Sequence, residues 1–409
     1  MAVTVTFASA CTEDGDEGAD EVADGEDGTT GGDTSCSEAG SDPGAALEGR
    51  VVEVSPGASE GFGQCSSGWA TDAPAREPEW TAHVGQSPEG FVDMKVEAYP
   101  GGGAVVLTNN VFARFDGAGE LLWSSSAGLE SAGRVALAVE PEGTILAAYW
   151  SWEDDSTGFD RYDGDGNALG AVEVAFNSPS ARVWGIERLG EDLMIACEDE
   201  GAQGFFQSTL LRVNPMGEVV LRKGNPSLFS TDFAVTPGGQ VLFAGVLLSA
   251  EDGGVFGNLT PSTGNIQAGN NVGEDFVVTV SNADFSVGRY STFGTERWLQ
   301  GYDRAGNFER ALAVAGTESG ELVAVGSVPI VNFETLGYWY TSEPQIIATD
   351  ADGNALWTDR VAMLGEASDV AIGEDGAIYV VGGAEGTAVQ SDEYGDWPVV
   401  ERWIRRYAF

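Results

Sequence analysis

The chain has 409 residues, of which 65 are acidic and 19 basic, for a formal net charge of −46. A surface this negative repels nucleic-acid phosphates and anionic headgroups, so neither is expected as a partner, and no run approaches the roughly 20 apolar residues of a membrane span. The 58 glycines, and the lack of apolar residues at helical spacing, favour a β fold rich in tight turns.

The chain opens Met1-Ala-Val-Thr-Val-Thr-Phe-Ala-Ser-Ala-Cys11. Small residues before a cysteine resemble the cleavage box of bacterial lipoprotein precursors, in which that cysteine is acylated and becomes the new N-terminus. Ala8 stands where leucine is usual, and no basic residues precede the apolar run. Thr12 to Asp42 carries twelve acidic residues and no basic one, with nothing to bury, so residues 12–45 are expected to be a self-repelling tether. A lipobox followed by such a tract resembles the envelope lipoproteins of myxobacteria. It implies lipidation at Cys11 and a place in the cell envelope, on the outer membrane or cell surface, with the lipid as the only membrane contact. Residues 46–79 form a Cys-containing, partly ordered lead-in segment, and Cys36 and Cys65 flank a Gly-, Ser- and Pro-rich stretch outside the repeats. A disulfide between them suits an oxidising compartment. Cys197, in a strand expected from Leu193 to Cys197, is expected to be a small buried hydrophobe.

From Trp80 onward one unit recurs: strand, Gly turn, strand, as in Leu137-Ala-Val-Glu-Pro-Glu-Gly143-Thr-Ile-Leu-Ala-Ala-Tyr149. Its counterparts centre on Gly102, Gly190, Gly239, the Asn282-Ala283-Asp284 turn, Gly320 and Gly376. A second turn recurs in Asp116–Trp123, Asp163–Gly170, Asn214–Leu221, Asp303–Arg310 and Asp350–Trp357, with a degraded copy at Pro261–Ala268. Four strands per unit, at a period of roughly 40–50 residues, is the pattern of propeller blades, which cannot bury their faces alone and pack around an axis. First turns number seven and second turns six. The ends account for the difference: Trp80-Thr-Ala-His-Val84 matches Trp357-Thr-Asp-Arg-Val361, so the N-terminal strand should complete the last blade. The fold class is therefore an all-β propeller of about seven four-stranded blades over residues 80–409. The spacing from Gly353 to Gly376 is short, which leaves either a stunted outer strand or one blade fewer.

The repeat resembles bacterial propellers of the quinoprotein-like and seven-bladed types. That resemblance implies docking of successive blades through a tryptophan that closes each outer strand. Trp80, Trp123 and Trp357 fit it, whereas Gly170, Leu221 and Arg310 depart, so no quinone cofactor is expected.

His83, the only histidine, falls on the outermost strand of the closing blade, away from any axial site. The turns Asp163-Gly-Asp165-Gly-Asn167 and Asp350-Ala-Asp352-Gly-Asn354 raise calcium as a cofactor. Ala168 and Val174 stand where an EF-hand loop has Gly and Glu, so side-chain turns are the expected role. The connections between second and third strands are expected on the opposite face as long, acidic, aromatic loops: Trp152–Asp155, Glu198–Glu200 with Phe205 and Phe206, Glu251–Asp252, Phe333–Tyr340 and Asp392–Trp397. Trp152, Phe333, Glu334, Tyr338, Trp339, Tyr340, Asp392, Tyr394, Asp396 and Trp397 are the candidate ligand contacts, because functional residues concentrate in long loops on a rigid scaffold. Aromatics beside carboxylates suit an extracellular glycan, a basic peptide or another protein. A binding or scaffolding module without chemistry is the expected function. The alternative is a polysaccharide hydrolase or lyase working through paired carboxylates.

Overall fold

The outer turns show how the sequence builds its sheets. In Asp116-Gly-Ala-Gly119-Glu120, the Asp116 carboxylate accepts the amides of Ala118 and Glu120, both at 2.9 Å, and Gly119 takes a φ of +84°. Asp163, Asn214 and Asp350 repeat the arrangement at their own turns. The side chain replaces the backbone partner that the chain reversal removes.

A computed structural model describes residues 73–409 apart from 88–93, 109–110, 126–131, 152–154, 202–205, 226–232, 260, 262–264, 282–284, 303–309, 330–341, 361–364 and 393–394. Its strands form seven four-stranded sheets. Blade 1 is β2 (Lys95–Ala98), β3 (Ala104–Leu107), β4 (Phe112–Phe115) and β5 (Leu121–Ser125). Blade 2 is β6 (Ala132–Val139), β7 (Ile145–Ser151), β8 (Ser156–Tyr162) and β9 (Ala168–Ala171). Blade 3 is β10 (Arg182–Leu189), β11 (Asp192–Glu200), β12 (Phe206–Val213) and β13 (Val219–Asn225). Blade 4 is β14 (Phe233–Val235), β15 (Gln240–Phe243), β16 (Val246–Ser249) and β17 (Val255–Asn258). Blade 5 is β18 (Asn265–Val272), β19 (Asp275–Ser281), β20 (Phe285–Tyr290) and β21 (Glu296–Gly301). Blade 6 is β22 (Arg310–Gly316), β23 (Leu322–Pro329), β24 (Ser342–Thr349) and β25 (Ala355–Arg360). Blade 7 joins both regions of the chain: β26 (Gly365–Ile372), β27 (Ala377–Asp392), β28 (Gly395–Ala408) and, outermost, β1 (Trp80–Ser87). Antiparallel pairing from Trp80↔Arg406 to Ser87↔Val400 closes the ring, as the repeat arithmetic predicts.

The core lies between blades. Alternate residues of β11 serve two interfaces, Ile195 and Cys197 facing blade 2 while Met194 and Ala196 face blade 4. A sheet buried on both faces needs apolar residues at consecutive positions, and β3 is Ala-Val-Val-Leu, all buried. Cys197 is a fully buried free thiol, its pKa pushed well up by desolvation.

Tryptophans join three of the seams through one geometry. Trp123 Nε1 donates to Gly164 O of blade 2 at 2.8 Å, and its ring lies against Gly166. Trp298 does the same to Ala351 O at 2.9 Å and Gly353, and Trp80 to Gly117 O at 3.1 Å and Gly119. A third-strand arginine shares the acceptor, Arg114 with Trp123 at 2.6 Å and Arg289 with Trp298 at 3.5 Å. Trp357 is different. Blade 7 has no outer turn to receive it, so its indole N–H finds no acceptor among the described residues and its ring stacks on Tyr407 at 5.5 Å. The lead-in chain fills that place: Thr358 exchanges backbone bonds with Pro74 and Arg76, and Arg76 Nη2 donates to Phe409 O at 3.3 Å.

Three turn assignments need correction. The first turn of blade 5 is at Gly273, and Asn282–Asp284 instead joins β19 to β20. The outer turns of blades 4 and 5 are Ser249–Gly254 and Ser291–Thr295, whereas Pro261–Ala268 and Asp303–Arg310 lead from one blade to the next. The cause is a two-residue hairpin, Ala244-Gly245, with φ of +50° and +73° inside an apolar run. Alanine rarely adopts that conformation, so Gln240 to Ser249 looks like one strand and the outer turn of blade 4 and both turns of blade 5 are read half a blade late, while the turns of blades 6 and 7 stand. Blade 5 thereby gains Trp298 as its docking residue, in place of the departure at Arg310. β25 has six residues and all seven blades stand.

Candidate ligand-binding site

The seven inner strands β2, β6, β10, β14, β18, β22 and β26 surround the axis. Beside it lies a cavity of about 350 Å³ that includes Glu97, Pro237, Asn270, Asn271, Thr317 and Glu318 in its wall. Three inner strands hand a polar side chain to the next blade's backbone. Asp369 accepts the Val96 amide at 3.0 Å, Glu187 accepts the Val235 amide at 3.1 Å, and Asn270 donates to Val314 O at 3.1 Å.

Glu97 has no hydrogen-bond or ion-pair partner among the described residues. Desolvation, then the charges of Asp369 and Glu187, push its pKa up to about 8 against the opposing pull of Lys95. Desolvation also lifts Glu187 to about 8, while the Val235 amide holds it back. Glu97 belongs to blade 1 and Glu187 to blade 3, so they sense each other across the axis rather than along a sheet. Both retain partial exposure. For Glu97 that exposure is to the cavity.

The cavity opens among the inner turns, and these carry exposed carboxylates in five of seven blades: Glu142, Glu191, Glu274, Glu318 and Glu374. The arginines that reach this face are already engaged. Arg188 pairs with Glu140, Arg212 with Asp192 at 2.6 Å, and Arg289 and Arg297 with Asp275 at 2.9 and 2.7 Å. Glu191, Glu274, Glu318 and Glu374 carry no ion pair among the described residues. The result is a rim of carboxylates, four of them without an ion pair among the described residues, around a cavity whose wall holds an unpartnered carboxyl.

A second hollow, of about 460 Å³, adjoins the first. Its wall includes Gly238, Gly239, Gln240, Glu251, Phe256 and Phe293. Phe293 is 79% exposed and meets Phe256 edge-on at 6.2 Å. The turn 237–240 separates the two hollows, with Pro237 on one side and Gly238 to Gln240 on the other.

Of the residues expected in long loops, Trp152, Phe333, Glu334, Tyr338, Trp339, Tyr340 and Tyr394 lie outside the described residues, as do Cys11, Cys36 and Cys65. Asp392, Asp396 and Trp397 are placed by backbone only, in a hairpin where Ser391 pairs Asp396 and Gln390 pairs Trp397. That hairpin continues past the last pairing of its neighbours, Gly365↔Ala384 and Ser87↔Val400, as a two-stranded ribbon. The loops are not uniformly long: blade 4 uses two residues, and blade 6 alone has an extended connection, 330–341. Glu251 and Asp252 sit in the outer turn of blade 4, on the glycine-turn face. Asp199 is fully buried in β11, where it accepts the amides of Asn177, Ser178 and Glu200 and pairs with Arg222. Its role is to hold the crossover from blade 2. His83 is exposed on β1. Among the described residues no three His, Cys, Asp or Glu side chains form a metal-holding group.

No family model matches the chain and no curated protein matches it. Among solved structures it is similar to a protein of unknown function from Bacteroides caccae, at 14% identity and a TM-score of 0.41, over 66% of this chain and 94% of that one.

Proposed function

We propose that this protein is a non-enzymatic binding propeller of the cell envelope, held there through Cys11, whose glycine-turn face takes up a basic polypeptide. The observation that carries the reading is Glu97: a carboxyl without a hydrogen-bond or ion-pair partner among the described residues, in a cavity beneath inner turns whose Glu191, Glu274, Glu318 and Glu374 carry no ion pair there. A cationic side chain in that cavity would satisfy Glu97 and offset the desolvation and the neighbouring charges that lift it. A glycan hydroxyl could donate to Glu97 but would leave the repulsion between the acidic groups in place. Acid–base hydrolysis is the weaker reading, because it needs one acid protonated and one ionised, with pKa values pushed apart. Glu97 and Glu187 are pushed the same way, to about 8 each.

Titration with a fluorescent oligo-arginine peptide tests the site. Expected are salt-dependent binding and a roughly tenfold loss in Glu97→Gln, equivalent to about 1.4 kcal/mol. Equal binding of an oligo-glutamate peptide, or indifference to Glu97→Gln, would sink the proposal. The anchor has its own test. Cys11→Ser should abolish fatty-acid labelling and move the protein from the membrane to the soluble fraction.

A further inference from the structure

We infer that the Phe256–Phe293 hollow is a second site, independent of Glu97, which takes a quaternary ammonium group with no anion attached to it, as in choline. Neither aromatic is required by the fold. The bulged residue of the outer strand is Leu122, Leu169, Val220, Arg297 and Leu356 in blades 1, 2, 3, 5 and 6, and Phe256 in blade 4. The third residue of the outer turn is Ala118, Asp165, Met216 and Asp352 in blades 1, 2, 3 and 6, and Phe293 in blade 5. Two neighbouring blades thus each place a phenylalanine where other side chains serve the fold as well, and both line the hollow. Their ring planes meet at 68° with centroids 6.2 Å apart. A cation seated in the angle between two such rings lies within roughly 6 Å of both centroids, the reach of a cation–π contact. Phe293 is mostly exposed, so a ligand can reach its ring.

The charge around the hollow has the matching sign. Arg212 in its wall is neutralised by Asp192 at 2.6 Å and donates to Ala250 O at 3.1 Å. Lys223, beside Gly253 of the adjoining turn, offsets Asp252. Glu251 lines the hollow, and its carboxylate has no hydrogen bond or ion pair among the described residues. Glu274 adds a second carboxylate: a Cβ on Gly238, itself in the wall, would meet its Oε2 at 2.7 Å. Surplus negative charge beside two aromatic rings favours a cation over a neutral apolar group. Lysine and arginine bring N–H donors whose water a phenyl wall cannot replace, whereas a quaternary ammonium brings none. The same carboxylates repel the phosphate of phosphocholine.

The test titrates the full chain, followed by NMR, with choline, with phosphocholine and with the neutral isostere of choline in which carbon replaces the quaternary nitrogen. Choline should bind roughly tenfold tighter than either of the others. Phe293→Leu and Phe256→Leu keep an apolar wall but remove a ring, so each should erase most of the preference over the isostere and leave isostere binding unchanged. Absence of choline binding, equal binding of the isostere or of phosphocholine, or a preference that survives both leucine variants overturns the inference. Glu97→Gln separates this site from the axial cavity. A choline preference unchanged in that variant assigns the ammonium to the phenylalanines, whatever becomes of oligo-arginine binding. A preference lost in Glu97→Gln and kept in both leucine variants overturns the second site and leaves the axial one standing.

Discussion

Glu97 and Glu187 tie stability to pH with an unusual sign for carboxyls. Their folded pKa values, about 8, lie above the ordinary 4.5. Between those values the folded state holds more protons than the unfolded one, so stability falls as pH rises through that window and levels off above it. Asp163 and Asp350 act oppositely. Asn167 holds Asp163 below its usual range; at Asp350, desolvation pulls upward but bonds from Asn354 prevail. Their contribution disappears as pH falls below the carboxylate range. Melting temperature should therefore be higher near pH 5 than at pH 8.5, and Glu97→Gln with Glu187→Gln should flatten that slope. An unchanged slope in the double variant would show that neither carboxyl is held protonated. Nothing in the sequence marks Glu97. Lys95-Val-Glu-Ala98 alternates like any half-exposed strand, and only ring closure turns one of its polar faces toward an enclosed axis.

The turn motif is the element in which sequence and structure agree most closely. Asp or Asn at the first position and Gly at the fourth were legible in blades 1, 2, 3 and 6, with a tryptophan at the eighth in blades 1 and 6. Ser291-Thr-Phe-Gly-Thr-Glu-Arg-Trp298 fits the same spacing with serine at its head and was obscured by the slip at Ala244. Where the eighth residue is tryptophan, one indole bonds and packs on the next blade, so Trp298→Ala should lower stability by about 2–3 kcal/mol in chemical denaturation. A loss under half of that would mean that Arg289, bonded to the same carbonyl, holds the seam alone. The opposite face supplies a check on where ligands bind. Trp339→Ala and Trp397→Ala together should leave oligo-arginine binding unchanged; loss of binding with an unaltered melting temperature would move the site to blades 6 and 7.

Closure is the property of the whole molecule that the sequence revealed best, because the repeat ends at Phe409 where the next strand type stands at Trp80. Less visible was the role of residues 74–79, which have no repeat counterpart. They stand in for the outer turn that blade 7 lacks, through Thr358, Phe409 and the Glu79–Arg406 pair. Three truncations follow. Removing residues 1–72 should leave the melting temperature unchanged, and removing 1–79 should lower it by several degrees. Removing 1–87 exposes the β28 edge and should cause aggregation. Equal solubility and cooperativity of all three proteins would show that the ring closes without β1.

The bond from Arg76 to Phe409 spans 333 residues of chain. Such a loop must close before either end gains anything from the contact, which places ring closure late among folding events. Blades 1 to 6 are each assembled from consecutive strands and can form as they leave the ribosome or a translocation pore. The axial cavity cannot, since Glu97, Glu187 and Asp369 face one another only when the ring is shut. During synthesis the molecule passes through an open arc whose free β28 edge at one end and uncovered blade 1 face at the other invite the wrong neighbour. The acidic charge on that arc keeps two growing chains apart until each has found its own first strand.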